Sequence, residues 1–360
     1  MQNAWNNILG KSTKTSRLII SGPCSAETAE QVEATTDQLA AINKVDVLRA
    51  GIWKPRTRPG NFEGVGEVGL KWIVDAGAKH NLPVAIEVAN ASHVEKALKA
   101  GVDMLWIGAR TTVNPFSVQE IADALSGVKN VPVFVKNPIN PDLGLWMGAF
   151  ERLRLAGVEK LAAIHRGFSS YDQTIYRNAP MWEIPIDFKI NEPDIPLVCD
   201  PSHIAGRRGL LASIAQYAVD LDMNGLMLES HISPDEAWSD AKQQITATEL
   251  NTLLEGLNNR EGSNSNLNST TELTNLRLKI DKLDEQIIAV FGDRMKVARE
   301  IGRLKKEQNL TILQIDRWKE IFDARIELAS KIGLGEEFMR SVLTSVHKES
   351  INQQTNVMND

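Results

Sequence analysis

The chain is 360 residues long, with 42% hydrophobic and 24% charged residues, a balance that fits a globular protein with room for two domains. Its net charge of -6 argues against a broad nucleic-acid-binding surface, though not against a local basic site. No apolar run can span a bilayer, the opening MQNAWNNILGKSTK lacks the features of a secretion signal, and Cys24 and Cys199 are the only cysteines. A cytoplasmic, reducing setting without a disulfide framework or membrane partner is therefore expected.

Residues 1–17 are polar and predict irregular chain or a short leading helix. Apolar, β-branched-rich runs follow at 18–21, 45–48, 84–88, 104–107, 131–135, 161–164, 197–199 and 226–228. Helix-like stretches separate them, among them 27–42, 65–80, 92–100, 117–125, 143–156, 209–221 and 247–257. Strand starts recur about every 30 residues, the size of one strand–helix unit. This alternation predicts a (β/α)8 barrel over residues 1–257. The alternative is an open doubly wound sheet, but no Gly-rich nucleotide fingerprint follows the first strand.

Residues 258–270, NNREGSNSNLNST, are polar and lack a core pattern, which predicts a flexible linker. Helical sequence occupies 271–360. Leu273, Leu276, Ile280, Leu283, Ile287 and Val290 alternate spacings of three and four, as in a helix–helix seam. That helix runs to about Lys306, ~50 Å at 1.5 Å per residue. Segments 314–331 and 336–353 make two more helices. Three helices with one very long member cannot close a core alone, so this tail is expected to dimerise.

Residues just past the C-terminal ends of barrel strands meet at one face. Collecting them gives Cys24 in GPCS, Arg49, Lys54, Arg56 and Thr57 in LRAGIWKPRT, and Glu87 after the third strand. It also gives Arg110 in IGART, Lys136 in VFVKN, Arg166 in HRGF, His203 in DPSHIAGRR, and Glu229 with Asp240 beyond it. A single histidine at a strand end is most often structural. Here cations recur at end after end, and that convergence makes isolated surface charges a poor explanation. Cys24, His203, Glu229 and Asp240 offer a thiolate, an imidazole and two carboxylates, suited to a divalent transition metal such as Mn, Fe, Co or Zn. Arg49, Lys54, Arg56, Arg110, Lys136 and Arg166 are too many cations for one monoanion and suit a substrate pair with phosphates and a carboxylate. Cys199 reads as core, and His165 and His231 receive no specific role.

In order and spacing, these motifs resemble 3-deoxy-D-arabino-heptulosonate 7-phosphate (DAHP) synthases of the shorter, type Iβ class, over residues 18–245. The resemblance implies condensation of phosphoenolpyruvate with erythrose 4-phosphate and release of phosphate. It implies Cys24, His203, Glu229 and Asp240 as metal ligands. Arg110, Lys136 and Arg166 would hold the phosphoenolpyruvate phosphate, with Arg49 and Lys136 near its carboxylate. Lys54, Arg56 and Thr57 would take erythrose 4-phosphate, and Glu87 would orient the water attacking phosphoenolpyruvate C2. A related phosphoenolpyruvate-condensing sugar-acid synthase is the alternative, and KPRT favours erythrose 4-phosphate.

On a helical wheel, Arg294 and Lys305 fall within about 20° of each other, while Arg277 points roughly 100° from Arg294. Gln314 and Arg317 share a face, as do Ser350 and Gln354. Residues 271–354, with LRLKIDKLDEQI and AREIGRLK, resemble AroQ-type, all-helical chorismate mutases. The resemblance implies that Arg294, Lys305, Gln314, Arg317, Ser350 and Gln354 line one pocket, that Arg277 crosses to a partner subunit's pocket, and that chorismate rearranges to prephenate there. The family commonly has acidic residues where Gln314 and Trp318 stand. A non-catalytic tail, serving dimerisation and feedback sensing, is the rival reading. The fusion leads us to expect a homo-oligomer, at least a dimer through the tail, with prephenate as effector of the barrel.

Overall fold

Period-two alternation along short strands sorts this chain's side chains into an inner and an outer set, and that sorting builds the site. A computed structural model describes residues 2–10, 12–54, 60, 62–171, 174–259, 267–312 and 315–359. The chain divides into two compact units, Met1–Gly262 and Ser263–Asp360.

In the first unit the strands are β1 (Leu18–Gly22), β2 (Val47–Ala50), β3 (Val84–Val88), β4 (Met104–Ile107), β5 (Val133–Lys136), β6 (Leu161–His165), β7 (Leu197–Cys199) and β8 (Gly225–Glu229). They close in sequence order into a barrel, with β8 pairing parallel to β1 from Leu18↔Gly225 to Gly22↔Glu229. The expected barrel is thus the observed fold. Two strands shift from the sequence reading. β5 starts at Val133, after Pro132, which has no N–H to donate to a ladder. β2 runs to Ala50, which places Arg49 within the strand.

The outer residues, such as Leu48, Ile86, Ile107 and Val135, pack under the surrounding helices. The inner residues, among them Ile20, Val47, Trp106, Phe134, Ile164 and Met227, fill the barrel. Helix Gln2–Leu9 closes its N-terminal end: buried Trp5 stacks on Phe134 at 6.1 Å and donates Nε1–H to the Asn224 carbonyl at 2.9 Å. A cleft of about 480 Å³, lined by Leu9, Asn81, Asp103 and Lys160 among others, lies at that end, opposite the strand C-termini. Helix Glu183–Asn191 is not apparent from sequence, because Ile184, Ile186, Phe188 and Ile190 alternate as in a strand. It forms because Phe188 is buried against Trp146 and Phe150, and Pro185 falls in its first turn, where the missing N–H costs little.

The second unit contains helices Leu267–Glu307, Ile315–Lys331 and Glu336–Asn359. The first begins inside the span read as linker; residues 260–266 lie outside the described residues. At 41 residues it is ~60 Å long. Gly302 lets the third helix approach, since a Cβ there would come 3.0 Å from Gln354 Cα. Along the N-terminal half of the long helix, Leu276, Ile280, Leu283 and Ile287 are 49–56% exposed. No helix among the described residues is long and apolar enough to cross a membrane.

Candidate functional site

Two residues beyond the inner apolar layer, the same alternation delivers polar side chains to the barrel's C-terminal mouth. Val47 leads to Arg49, Ala85 to Glu87, Phe134 to Lys136, Ile164 to Arg166, Val198 to Asp200 and Met227 to Glu229. Charges on an apolar floor need partners, and four of these pair with each other. Arg49 donates Nη1–H to Glu229 Oε1 at 3.0 Å and Nη2–H to the Cys24 carbonyl at 3.0 Å. Lys136 donates Nζ–H to Asp200 Oδ2 at 2.8 Å. Trp106 lies beneath both cations and donates Nε1–H to Glu87 Oε2 at 3.0 Å.

The thiol and carboxylates form a tighter group. Ligand atoms of Cys24, Glu229 and Asp240 all lie within 4.8 Å of one another. Lys54 donates Nζ–H to Cys24 Sγ at 2.6 Å, and the thiol donates to Asp240 Oδ2 at 3.2 Å. Burial, then the Glu229 charge, pushes the Cys24 thiol up to about 12. Burial would raise Glu229 too, but the His203 and Arg49 charges hold it below the usual range. Asp240 is likewise held low, against burial, by Arg177 and Lys54.

His203 stands beside this group. Its Nε2 is 3.8 Å from Glu229 Oε1, and its Nδ1 is 2.8 Å from Asp200 Oδ2, a close contact rather than an aligned hydrogen bond. Within the DPSHIAGRR motif, His203 lies in a one-turn helix, Pro201–Ala205, and Gly206 ends it at φ 65°. Asp200 caps that helix, accepting from the His203 backbone N–H at 3.1 Å. A Cβ at Gly206 would lie 2.5 Å from Arg177 Cβ, so glycine is required there twice over.

Arg166 is buried, with Nη1 donating to Asn178 Oδ1 at 2.7 Å. Burial draws its guanidinium down to about 10, and the Arg177 and Arg110 charges add to this against Asp200. Arg110 is exposed, in the short helix Ala109–Thr112. Arg56 and Thr57 lie outside the described residues. The sequence reading missed Asp200, Arg177, Asn178, Gln243 and Gln244. Only Asp200 had a signal, its place in the DPSH motif.

The donor set fits a divalent transition metal: a buried thiol that needs a cation to ionise, two ionised carboxylates and a neighbouring imidazole, with the Lys54 ammonium against the sulfur.

His165 takes no part in this. It is fully buried between Phe168 and Trp182, and among the described residues neither ring nitrogen has an aligned hydrogen-bond partner. Burial, helped by Arg166, lowers it to about 3. The unfolded chain protonates this imidazole below about pH 6.5 while the folded protein does not, so its contribution to stability falls as pH drops from 6.5 towards 3, by roughly 4 kcal/mol. His165→Leu is expected to flatten this acid limb; an unchanged slope in denaturant unfolding at pH 7 and pH 4 refutes it.

In the tail, Arg294 donates to Ser350 Oγ and, at 3.4 Å, to the Val346 carbonyl. Lys305 donates to the Ile312 carbonyl at 2.6 Å. Gln354 is 9% exposed and its Oε1 is buried without a partner among the described residues. Trp318 stacks on His347 at 3.6 Å; burial, then the Arg294 and Lys305 charges, lowers that imidazole. Arg277 is exposed. Gln314 and the side chain of Arg317 lie outside the described residues.

Residues 5–263 match the family model of the DAHP synthetase I family, and residues 276–355 that of chorismate mutase type II. A phospho-2-dehydro-3-deoxyheptonate aldolase of Thermotoga maritima is 32% identical over 227 residues, 63% of this chain and 64% of the relative, so the match spans less than two thirds of that relative. A bifunctional chorismate mutase/prephenate dehydratase of Aquifex aeolicus is 35% identical over 80 residues, 22% of each chain. Among solved structures, a Thermotoga maritima DAHP synthase aligns with TM-score 0.60 at 28% identity, covering 66% of this chain and 67% of that one.

Proposed function

Since the chain belongs to the DAHP synthetase I family, we propose that residues 1–257 condense phosphoenolpyruvate with erythrose 4-phosphate to DAHP and phosphate, and that residues 271–360 rearrange chorismate to prephenate. The observation that carries the first activity is the charged layer on the barrel floor, with Cys24, Glu229 and Asp240 at its edge.

Arg110, Lys136 and Arg166 hold the phosphoenolpyruvate phosphate, and Arg49 and Lys136 its carboxylate. Lys54, Arg56 and Thr57 bind erythrose 4-phosphate. The cations thereby bring together two anions that water would keep apart. Phosphoenolpyruvate C3 attacks the aldehyde carbon, and Lys54 delivers a proton to the resulting alkoxide. Glu87, fixed by the Trp106 N–H, orients the water that adds to C2, after which phosphate leaves. Cys24, His203, Glu229 and Asp240 would hold a divalent metal (Mn, Co, Fe or Zn), which as a Lewis acid polarises the aldehyde.

The tail requires no covalent step. Arg294 and Arg317 hold the two chorismate carboxylates, with Ser350 and Gln314 completing the pocket. Lys305 and Gln354 stabilise charge growing on the ether oxygen. The unpaired Gln354 Oε1 supports this, since it leaves a buried polar atom for a ligand to satisfy. The half-exposed stripe through Leu276, Ile280 and Leu283 supports a dimer, with Arg277 entering a partner subunit's pocket. We place the protein in the cytoplasm.

Prephenate bound in the tail would inhibit the barrel. Deletion of residues 260–360 is expected to abolish prephenate inhibition of DAHP formation; inhibition that survives the deletion defeats the feedback reading. If the isolated tail binds prephenate without turning over chorismate, it is a sensor and not a mutase.

A further inference from the structure

Three metal-ligand candidates come from three separated segments, the loop after β1, the end of β8 and the loop beyond β8. Something has to hold them in register. Directly after Asp240, Gln243 and Gln244 are 1% and 0% exposed, and neither lies at a strand end. Their side chains go to different ligand segments. Gln243 donates Nε2–H to Glu229 Oε2 at 2.6 Å and accepts at Oε1 from Arg177 Nη1 at 2.7 Å. The same Arg177 nitrogen lies 3.1 Å from Asp240 Oδ1. Gln244 accepts the Cys24 backbone N–H at 2.9 Å and donates to the carbonyl of Ser239, the residue before Asp240, at 2.8 Å.

The polarity of this arrangement is determined. A guanidinium can only donate, so the Gln243 oxygen must face Arg177. Its NH₂ must then face Glu229, where it can be accepted only by a carboxylate oxygen with a free lone pair. Glu229 Oε1 accepts from Arg49, so each of its two oxygens is held by a different donor. Asp240 sits at a positive φ of 52° and Gln244 anchors the segment around it.

We propose that Gln243 and Gln244 are positioning residues for the divalent-metal site: Gln243 sets the Glu229 carboxylate and links it through Arg177 to Asp240, while Gln244 locks the Cys24 backbone to the Asp240 segment. The inference rests on the reading of Cys24, Glu229 and Asp240 as metal ligands. Groups that orient ligands in this way change metal affinity by about 10- to 100-fold when removed.

The test is titration of the metal-free, full-length protein with Co²⁺, followed by the thiolate-to-cobalt absorption that Cys24 would give. Gln243→Leu is expected to weaken Co²⁺ binding about 10- to 100-fold. Gln243→Glu keeps an acceptor for Arg177 but has no donor for Glu229, and should weaken binding at least as much. Gln244→Leu should weaken it about 10-fold and shift the absorption band, because the Cys24 backbone is released. Co²⁺ affinity within twofold of the parent in these variants overturns the proposal, whatever their melting temperatures. If the Gln243 variants do not fold, Gln244→Leu decides by the same criterion. No cobalt band in the parent protein removes the metal reading, and this inference with it.

Discussion

Chelation of divalent metal is expected to lower DAHP formation roughly a hundred- to a thousand-fold, with Mn²⁺ or Co²⁺ restoring it, and Cys24→Ala is expected to show the same loss without rescue. The Cys24 thiol is fully buried and pushed up to about 12, so near neutral pH it is protonated and a poor ligand for anything but a strong cation. Glu229 and Asp240 are both held ionised within 4.8 Å of it. Arg49, Lys54 and Arg177 already balance the two carboxylates, so what the site lacks is the strong cation that would ionise the buried thiol. A coupled assay of phosphate release checks this, with metal content measured on the same sample. Undiminished activity in protein freed of metal would dismiss the metal role and leave Lys54 as the sole activator of the aldehyde. Cys24→Ala also separates metal binding from folding, since it removes one donor while the charged pairs Arg49–Glu229 and Lys136–Asp200 persist.

Arg294→Ala is expected to lower chorismate rearrangement by about 10²- to 10³-fold. Arg294 is exposed at its surface, its contacts are to Ser350 and the Val346 carbonyl, and desolvation alone lowers its guanidinium. Among the described residues no carboxylate neutralises it, in contrast to Arg49 in the barrel. A cation held without a countercharge is available to a substrate carboxylate. Direct absorbance of chorismate checks the rate, and far-UV circular dichroism checks that the helices persist. Retention of near-parental turnover in Arg294→Ala would exclude this pocket as the site of rearrangement. Trp318, where the resemblance leads us to expect an acidic residue, stacks on His347. Weak turnover in the parent, with Arg294→Ala abolishing prephenate binding, would favour the sensor.

The barrel and much of its charged mouth are legible in the sequence. Short apolar runs at regular intervals, with polar residues at their ends, are sufficient to expect a closed parallel barrel, because an alternating strand–helix chain has few other ways to bury both faces of its strands. The same rule gathered Cys24, Arg49, Glu87, Lys136, Arg166, His203 and Glu229, since a strand's end fixes where its next inward side chain emerges. Helix Glu183–Asn191 escaped because its apolar residues alternate like a strand and only Trp146 and Phe150 make it a helix. Arg177, Asn178, Gln243 and Gln244 escaped for another reason. They sit on loops, where no periodicity links position to direction.

Local sequence pattern thus carries the architecture and the chemical inventory: which residue types reach the mouth of the barrel, and which lie on one face of the tail helix. Those follow from local periodicity, which one chain carries in full. The pairing came from the packed fold. It gave Lys136 to Asp200, Arg49 to Glu229, Lys54 to Cys24 and Gln243 to Glu229, and it placed His203 beside Glu229 rather than among all three of the other donors. Pairing depends on distances of a few ångströms between segments up to 220 residues apart, such as Cys24 and Gln244. No local pattern encodes those distances; they are set by barrel closure and by the packing beneath each loop.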